Sequence, residues 1–274
     1  MSNVKIGVQL YSVRDKMAES VEDTLRAVKE MGYDFVEFAG YFDHTAEELA
    51  DLLKKYDLGC VSVHQKLDLY SDKGAEGAAF VKKIGVDFSV IPWHSKDNYT
   101  EEKMAETVAY FREMIAIVNK AGMEMLYHNH DFELARFGDT TILDYLFANV
   151  EGLNPEFDTC WIKYAGYEPC DYLKKYAGRY KVVHLKDFTC RELGAGPAYA
   201  LIDKDGKEIK TKSREENEFR FRPVGSGMQD IPAIIDAALA GGAEYFIVEQ
   251  DQTYEQDSLD AIRQSREYLR SLGY

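Results

Sequence analysis

Residues 34–64 read DFVEFAGYFDHTAEELADLLKKYDLGCVSVH. A short apolar run stands at each end of this stretch. Between them, residues 45–56 carry a helical pattern with one apolar face, made of Leu49, Leu52, Leu53 and Tyr56. Thr45 followed by Glu48 is the pattern of a capping box at the start of that helix. The stretch therefore predicts a strand, a helix and a second strand that runs parallel to the first.

The same unit recurs along the whole chain. Eight short apolar segments alternate with longer amphipathic ones, and the predicted strands are Val4–Leu10, Asp34–Phe38, Gly59–His64, Asp87–Ile91, Met123–His128, Asn154–Asp158, Tyr180–His184 and Glu244–Glu249. A closed (β/α)8 TIM barrel explains this count better than an open sheet, and 274 residues is a usual length for one. No shift in composition marks a boundary, so we expect residues 1–274 to form a single domain.

Glycines stand between the predicted helices and the strands that follow. They are Gly32, Gly59, Gly85, Gly122 and Gly241–Gly242. A helix that ends in this way usually needs one residue in the left-handed region, which glycine enters without a side-chain penalty. We expect a left-handed backbone at each of these positions.

Composition limits the partners. The formal charge of −15 opposes binding to nucleic acid and to anionic membranes. Four cysteines without a CxxC pair are expected to be reduced thiols, and no apolar run approaches the ~20 residues of a transmembrane helix. A cytoplasmic protein with a small-molecule partner is predicted, and homo-oligomerisation is left open.

One irregular stretch, Thr189–Pro223, interrupts the pattern between the seventh strand and the seventh helix. Within it, Ala200–Lys212 alternates around Asp205-Gly206, which is typical of a β-hairpin. An insertion on this loop is expected over the mouth of the barrel. Two interpretations stay open for it, a surface ornament and a lid over the substrate.

Polar side chains collect at the predicted strand ends, where the active site of such a barrel lies. The third strand ends in His64, the fifth in His128-Asn129-His130-Asp131, the sixth in Asp158, the seventh in His184-Leu185-Lys186-Asp187 and the eighth in Glu249-Gln250-Asp251. Glu37 lies near the end of the second strand, and Trp93-His94 follows the fourth. Imidazoles and carboxylates that converge on one cavity are stabilised by a divalent cation.

These strand ends resemble the xylose isomerase-like TIM barrels known as the sugar phosphate isomerase/epimerase family. The resemblance covers essentially all of the chain, and the motifs that carry it are YHNHDFE (127–133), EFDTCW (156–161), HLKDF (184–188), PVGSGMQDIPAI (223–234) and VEQD (248–251). In this order they are specific for the family, but they do not identify a substrate.

The resemblance implies one divalent metal ion, Mn, Zn, Co, Fe or Mg, held by His128, Asp158, His184 and Glu249. Many members have glutamate where His128 stands, and that glutamate often acts as an acid or base, so the departure counts against a symmetrical two-glutamate epimerase. Two histidines and two carboxylates suit Mn²⁺, Zn²⁺, Fe²⁺ or Co²⁺ better than Mg²⁺. His130 has the same strand parity as His128, and either residue is an acceptable ligand on this pattern.

Such a site implies a metal-dependent isomerase or epimerase acting on a keto-sugar or polyol through an enediolate. We expect Glu249 as the base and His64 or His130 as its partner. Lys186 is expected to donate to the developing oxyanion, with a solvent-facing lysine as the alternative. Substrate contacts are expected from Glu37, Trp93, Trp161 and Asp187, although Asp187, like Glu133, would otherwise orient a ligand histidine.

The sequence bears on three other functions. Loss of a β-hydroxyl or β-alkoxy group from the same enediolate would make the protein a dehydratase or a keto-glycoside lyase, with an inosose-type substrate. DNA repair by the endonuclease branch of the family is disfavoured, because Trp161 stands three residues after Asp158 and no Asp-x-His pair follows His184. A non-catalytic sugar-binding barrel is the alternative that His128 keeps open. Gly225-Ser226-Gly227 is read either as an anion site before a helix or as a plain turn.

Overall fold

A closed barrel of eight parallel strands forms the centre of the molecule in the computed structural model, which describes residues 4–65, 74–195, 201–202, 208–209 and 214–274. Its strands are β1 (Lys5–Gln9), β2 (Phe35–Phe38), β3 (Gly59–His64), β4 (Phe88–Ile91), β5 (Glu124–His128), β6 (Asn154–Asp158), β7 (Val182–Leu185) and β8 (Tyr245–Val248). Each strand pairs with the next one in the chain, and β8 pairs with β1. The predicted TIM barrel is confirmed, and the predicted strand ends agree to within two residues.

Helices cover the outside of the barrel and alternate with the strands. The main ones are α1 (Val21–Glu30), α2 (Ala46–Lys55), α3 (Gly74–Ile84), α4 (Met104–Lys120), α5 (Ile142–Asn149), α6 (Pro169–Lys175), α7 (Ile231–Ala240) and α8 (Ser258–Ser271). The capping box at Thr45 and Glu48 is present. Asp230 caps α7 by accepting a hydrogen bond from the backbone N–H of Ala233 at 3.2 Å.

The register of the strands determines which side chains meet inside the barrel. His128 on β5 is level with Glu156 on β6, and Asp158 on β6 is level with His184 on β7. Side chains two residues apart on one strand point to the same face, so Glu156 and Asp158 both point inward. The register therefore stacks polar side chains in two levels of the barrel interior.

The expectation for the interhelix glycines is confirmed at four positions and wrong at two. A positive φ occurs at Gly32, Gly85, Gly122 and Gly242. At Gly59 the left-handed residue is instead Asp57, with φ 52°. Gly59 is required for space, because a Cβ there would lie 2.5 Å from the ring of Phe35. Gly241 has φ −84°, and a Cβ there would collide with the hydroxyl of Tyr180.

The insertion after β7 contains antiparallel pairs. Leu201–Ile202 pairs with Glu208–Ile209, as predicted for a hairpin, while the turn Asp205-Gly206 lies outside the described residues. A second pair, Asp187–Thr189 with Arg220–Arg222, joins the two ends of the insertion. A third pair, Arg136–Phe137 with Thr140–Thr141, lies elsewhere, between β5 and β6. Neither of these two pairs was predicted from the sequence. All of these pairs lie outside the barrel sheet, so they leave the eightfold pattern intact.

The sequence predicts reduced cysteines and no transmembrane helix, and the structure bears on both. Cys60, Cys160, Cys170 and Cys190 all have free thiols. Across the described ranges, none of the helices combines the length and apolar character needed to span a membrane.

Candidate metal centre

Four side chains at the ends of β5 to β8 converge on one point. His128, Asp158, His184 and Glu249 each offer one donor atom, and these four atoms lie within 4.8 Å of one another. Nε2 of His128 is 3.5 Å from Oδ2 of Asp158 and 3.9 Å from Oε2 of Glu249, and Nδ1 of His184 is 2.8 Å from the same Glu249 oxygen. Around a tetrahedral ion with bonds of about 2.1 Å, donors are about 3.4 Å apart. The donor set and its spacing therefore fit a divalent cation.

Local structure fixes the orientation of Asp158. Its Oδ1 accepts hydrogen bonds from the backbone N–H groups of Cys160 at 2.9 Å and Trp161 at 3.3 Å, which caps the short helix Thr159–Tyr164. Asn129 pins the same strand end to β5, because its side chain bonds both the N–H and the carbonyl of Asp158. Oδ2 is left pointing into the barrel. Burial raises the pKa of Asp158 to about 6, with Lys186 acting in the opposite direction.

Lys186 lies beside this group and is fully buried. Its Nζ is 3.0 Å from Oδ2 of Asp158, 2.9 Å from Oε2 of Glu249 and 2.9 Å from Oδ1 of Asp251. Burial would lower the pKa of Lys186, but the three carboxylates outweigh it and raise the pKa above its ordinary value. The side chain is therefore an ammonium that faces the centre, and the alternative of a solvent-facing lysine is wrong.

A second polar level lies beneath the candidate ligands. Oε2 of Glu156 has three imidazole nitrogens around it: Nε2 of His64 at 2.8 Å, Nδ1 of His128 at 3.2 Å and Nε2 of His184 at 3.3 Å. Glu37 is 2.7 Å from Nε2 of His184. The ring nitrogens that face away from the candidate metal position thus meet carboxylates, which is the usual way to fix the tautomer and orientation of a ligand histidine.

His64 and Glu37 belong to this lower level. The Ser62 hydroxyl donates a 2.6 Å hydrogen bond to Glu37, and Nε2 of His64 is 3.3 Å from the same glutamate oxygen. Burial opposes a charged His64, but Glu37 and Glu156 outweigh it and raise the pKa of His64 to about 10. Glu37, expected from the sequence to contact substrate, is fully buried and is not among the residues that line the cavity.

His128 and His130, the two candidate ligands on β5 and just beyond it, have different surroundings. His128 lies in the four-residue group, whereas His130 stacks on Phe132 and lies 5.7 Å, centroid to centroid, from the ring of Trp161. Burial, with a smaller effect of Lys186, lowers the pKa of His130 to about 3. Its Nδ1 makes no hydrogen bond within the described part of the chain. His130 is thus a neutral imidazole in the cavity wall, above the candidate ligands.

A cavity of about 790 Å³ opens above the centre. Trp93 and Trp161, both expected to contact substrate, line it together with Lys186, Glu249 and His130. Trp161 is buried and stacks on Phe219, whereas Trp93 is more than half exposed. His94, next to Trp93, does not line the cavity, because its ring packs against Tyr99 and Phe111.

Asp187 has a structural role instead of the expected contact with substrate or with a ligand histidine. Its carboxylate accepts hydrogen bonds from four backbone N–H groups at 2.9–3.1 Å, those of Phe188, Gly225, Gly227 and Gln229. The turn at Gly225-Ser226-Gly227 therefore does bind an anion, but the anion is this internal carboxylate. Asp187 closes the end of the insertion onto the start of α7.

The sequence interpretation missed Glu156 as a member of the polar cluster, and it named Asp251 only as a polar residue at the end of the eighth strand, with no role. Glu156 could have been found by strand parity, because it stands two residues before Asp158 and must point to the same face. A carboxylate in the middle of a buried strand is itself unusual. The partner of Asp251 could not be predicted, since it lies beyond the end of β8 and only the fold brings it to Lys186.

Solved structures resemble this chain in fold. A sugar phosphate isomerase/epimerase from Parabacteroides distasonis is 18% identical with a TM-score of 0.75, covering 99% of this chain and 95% of its own. The "probable 3-DHS dehydratase AsbF" from Bacillus anthracis is 14% identical with a TM-score of 0.69, covering 97% and 99%. The IOLI protein, solved with a bound zinc atom, is 16% identical with a TM-score of 0.67 and covers 98% of each chain.

No protein of curated function matches the sequence. The family model described as "Xylose isomerase-like TIM barrel" matches residues 25–272, which is most of the chain. The protein therefore belongs to the xylose isomerase-like TIM barrel family.

Proposed function

We propose that this protein is a metal-dependent isomerase or epimerase that acts on a keto-sugar or polyol, with residues 1–274 working as one domain. The observation that carries the proposal is the convergence of His128, Asp158, His184 and Glu249 on one point at the floor of an open cavity. Two imidazoles and two carboxylates suit Mn²⁺, Zn²⁺, Fe²⁺ or Co²⁺. When bound, such an ion polarises a substrate carbonyl and stabilises an enediolate.

The residues of the chain divide the proton transfers between them. Burial would raise the pKa of Glu249, but Lys186 and His184 outweigh it and hold the pKa below its ordinary value. Glu249 is therefore ionised, as a general base must be, and it removes the proton from the carbon next to the carbonyl. Its basicity is modest, so the reaction depends on a C–H made acidic by the bound carbonyl.

His130 is the preferred second acid/base group. It is neutral, it lines the cavity, and its Nδ1 has no hydrogen bond among the described residues. His64 is a poorer choice because its Nε2 already faces Glu156 and Glu37 in the lower level. Lys186 donates a hydrogen bond to the substrate oxygen that gains negative charge. Its ammonium lies beside Glu249 at the floor of the cavity.

Dehydration or lyase activity is the second candidate. The same α-proton is removed, but a β-hydroxyl or β-alkoxy group then leaves as water or an alcohol with the proton that Glu249 has taken up. This alternative is supported by the similarity in fold to a protein named as a probable dehydratase. A non-catalytic sugar-binding barrel is the remaining alternative.

The experiment is solvent deuterium exchange on the metal-loaded protein, using a panel of keto-sugars and inosose followed by NMR. Deuterium at the carbon next to the carbonyl, with a new isomer or epimer, supports the proposal. Loss of the α-proton coupled to release of water or an alcohol assigns the lyase alternative. Sugar binding with no exchange in any metal-loaded sample assigns the non-catalytic barrel and contradicts the proposal.

A further inference from the structure

The cavity has two chemically different halves. The half formed at the ends of β5 to β8 contains the candidate metal centre, with Lys186, His130 and Glu249 on its surface. The other half is formed by the loops after β1 to β4, and its surface includes Tyr11, Gly40, Tyr41, Gln65, Pro92 and Trp93. None of the described residues that line this second half is a carboxylate or a lysine. Arg14 and His64 are the charged residues that line this half within the described part of the chain, and the rest of its described lining is aromatic, small or neutral.

Two aromatic rings in this half are unusually open to solvent. Trp93 is 54% exposed and Tyr11 is 42% exposed, and both line the cavity. Trp93 comes two residues after β4 ends at Ile91, so its backbone is held close to the barrel rim. Arg14 lies over the Tyr11 ring at 4.1 Å, and its Nη1 donates to the carbonyls of Tyr11 and Asp251, which also holds this part of the rim in place. Exposed aromatic surface at a polar cavity is typical of ligand binding.

The volume of the cavity exceeds that of one sugar ring. A hexose has about twelve non-hydrogen atoms, and even at the ~30 Å³ that a water molecule occupies in the liquid it would fill about 360 Å³. A two-ring glycoside, with about twenty-three such atoms, would fill about 690 Å³ on the same scale. The cavity measures about 790 Å³. One ring at the centre therefore leaves unfilled space toward the aromatic half, and a two-ring compound still fits within the cavity.

We infer that the site takes a two-ring glycoside, with the reacting ring at the candidate metal centre and the second ring against Trp93 in the half formed by the β1 to β4 loops. The inference rests on the proposed function and narrows its substrate class. The apolar face of a pyranose, or an aromatic aglycone, covers the exposed indole. The open rim also allows the second ring to be varied while the reacting ring stays in place.

The two tryptophans of the chain make this inference directly measurable. Trp161 is 1% exposed and Trp93 is 54% exposed, so acrylamide quenching of the native fluorescence reports mainly on Trp93. Glucose, cellobiose, maltose and phenyl β-glucoside would be titrated into the metal-loaded full chain. We expect a two-ring compound to protect Trp93 from quenching and to bind about ten-fold or more tightly than glucose, a difference of ~1.4 kcal/mol.

Variants at position 93 provide the control. Trp93→Ala should lose the advantage of the two-ring compound over glucose, and its metal content should be unchanged because position 93 is outside the four-atom group. Trp93→Phe keeps a flat ring and should retain most of the advantage, and it leaves Trp161 as the only tryptophan of the chain. Equal affinity for one-ring and two-ring compounds, or an advantage that survives in Trp93→Ala, would overturn the inference and leave the proposed function intact. Failure of every sugar to bind would count against the proposed function as well.

Discussion

Nζ of Lys186 lies 2.9 Å from Oε2 of Glu249, the same oxygen that faces the candidate metal position. Oδ2 of Asp158 is shared in the same way, at 3.0 Å from Nζ. The Lys186 ammonium and the proposed divalent cation would thus share the same two carboxylate oxygens. When no metal is bound, Lys186 compensates part of the buried negative charge; when a metal is bound, the two cations repel each other.

Lys186→Met is therefore expected to increase the affinity for metal and to lower the stability of the metal-free protein. Removal of the ammonium should raise the affinity for Zn²⁺ or Mn²⁺ by about ten-fold or more, because a like charge next to the ion is lost. Without metal, Asp158, Glu249 and Asp251 lose their partner, and breaking a buried ion pair costs ~3–5 kcal/mol. Competition with a chromogenic chelator and calorimetry of both forms would measure the two effects. Lys163→Met, at a surface pair with Glu168, should change neither; equal metal affinity in Lys186→Met and wild type would contradict the shared-oxygen geometry.

The proposed centre predicts one divalent metal ion per chain after purification without chelators. A ligand that binds only the folded protein at ~100 times its dissociation constant adds ~2.7 kcal/mol to the free energy of unfolding. Elemental analysis and the thermal shift on adding Mn²⁺ or Zn²⁺ measure this. Asp158→Ala should abolish both signals, whereas Asp251→Asn, outside the four-atom group, should keep the metal. Absence of stoichiometric metal together with no thermal shift would count against the centre.

Glu249→Gln tests whether this residue moves the proton as well as facing the metal position. An amide oxygen can still coordinate an ion but has no useful basicity, so saturating metal should not restore exchange of the substrate α-proton. General-base losses are typically ~10²–10⁴-fold. His130→Ala should block exchange at one carbon or one face only, and His64→Ala should act chiefly on metal affinity, because His64 lies in the lower level. Near wild-type exchange in metal-loaded Glu249→Gln would assign the proton transfer to His130, His64 or Lys186.

The burial of Glu133 predicts that the stability of the protein depends on pH, whether or not a metal is bound. Its carboxyl accepts hydrogen bonds from the Tyr127 hydroxyl at 2.6 Å and the His130 N–H at 2.8 Å, yet burial raises its pKa from 4.5 to about 8. A raised pKa means that the folded state favours the neutral acid, so this stability is complete below 4.5 and is lost as pH rises toward about 8. Glu133→Gln should therefore lose less melting temperature than wild type between about pH 5 and about pH 9. Parallel curves for the two proteins would contradict the prediction, and the exposed Glu151→Gln should match wild type.

Residues 200–212 should be dispensable for folding. The antiparallel pair Leu201–Ile202 with Glu208–Ile209 makes no ladder with the barrel strands. A long surface loop also costs little extra closure entropy. Replacement by a short Gly-Ser linker should leave a soluble protein with wild-type circular dichroism and metal content, and should change only the choice of substrate. Insoluble protein would show instead that the insertion covers part of the core or of an oligomer interface.

Much of the fold could be predicted from local patterns. Capping at Thr45 and Asp230 and the alternation of apolar runs with amphipathic helices are short-range features, and all are present in the structure. The two glycine errors had a tertiary cause. At Gly59 and Gly241, a ring or hydroxyl from a distant part of the chain takes the space that a side chain would need, and no local pattern contains that information.

The sequence alone determined that eight strands alternate with helices and that histidines and carboxylates stand at their ends, because both properties depend on residue spacing and on neighbours along the chain. It therefore placed His128, Asp158, His184 and Glu249 at one end of the barrel. Only the tertiary structure decided what each polar group meets there. Strand register put Glu156 beneath three histidines, a long-range contact buried Lys186 among three carboxylates, and closure of the insertion gave Asp187 four backbone donors. Those relations depend on distances between segments far apart in sequence, and in a low-dielectric interior such distances determine charge and hydrogen bonding.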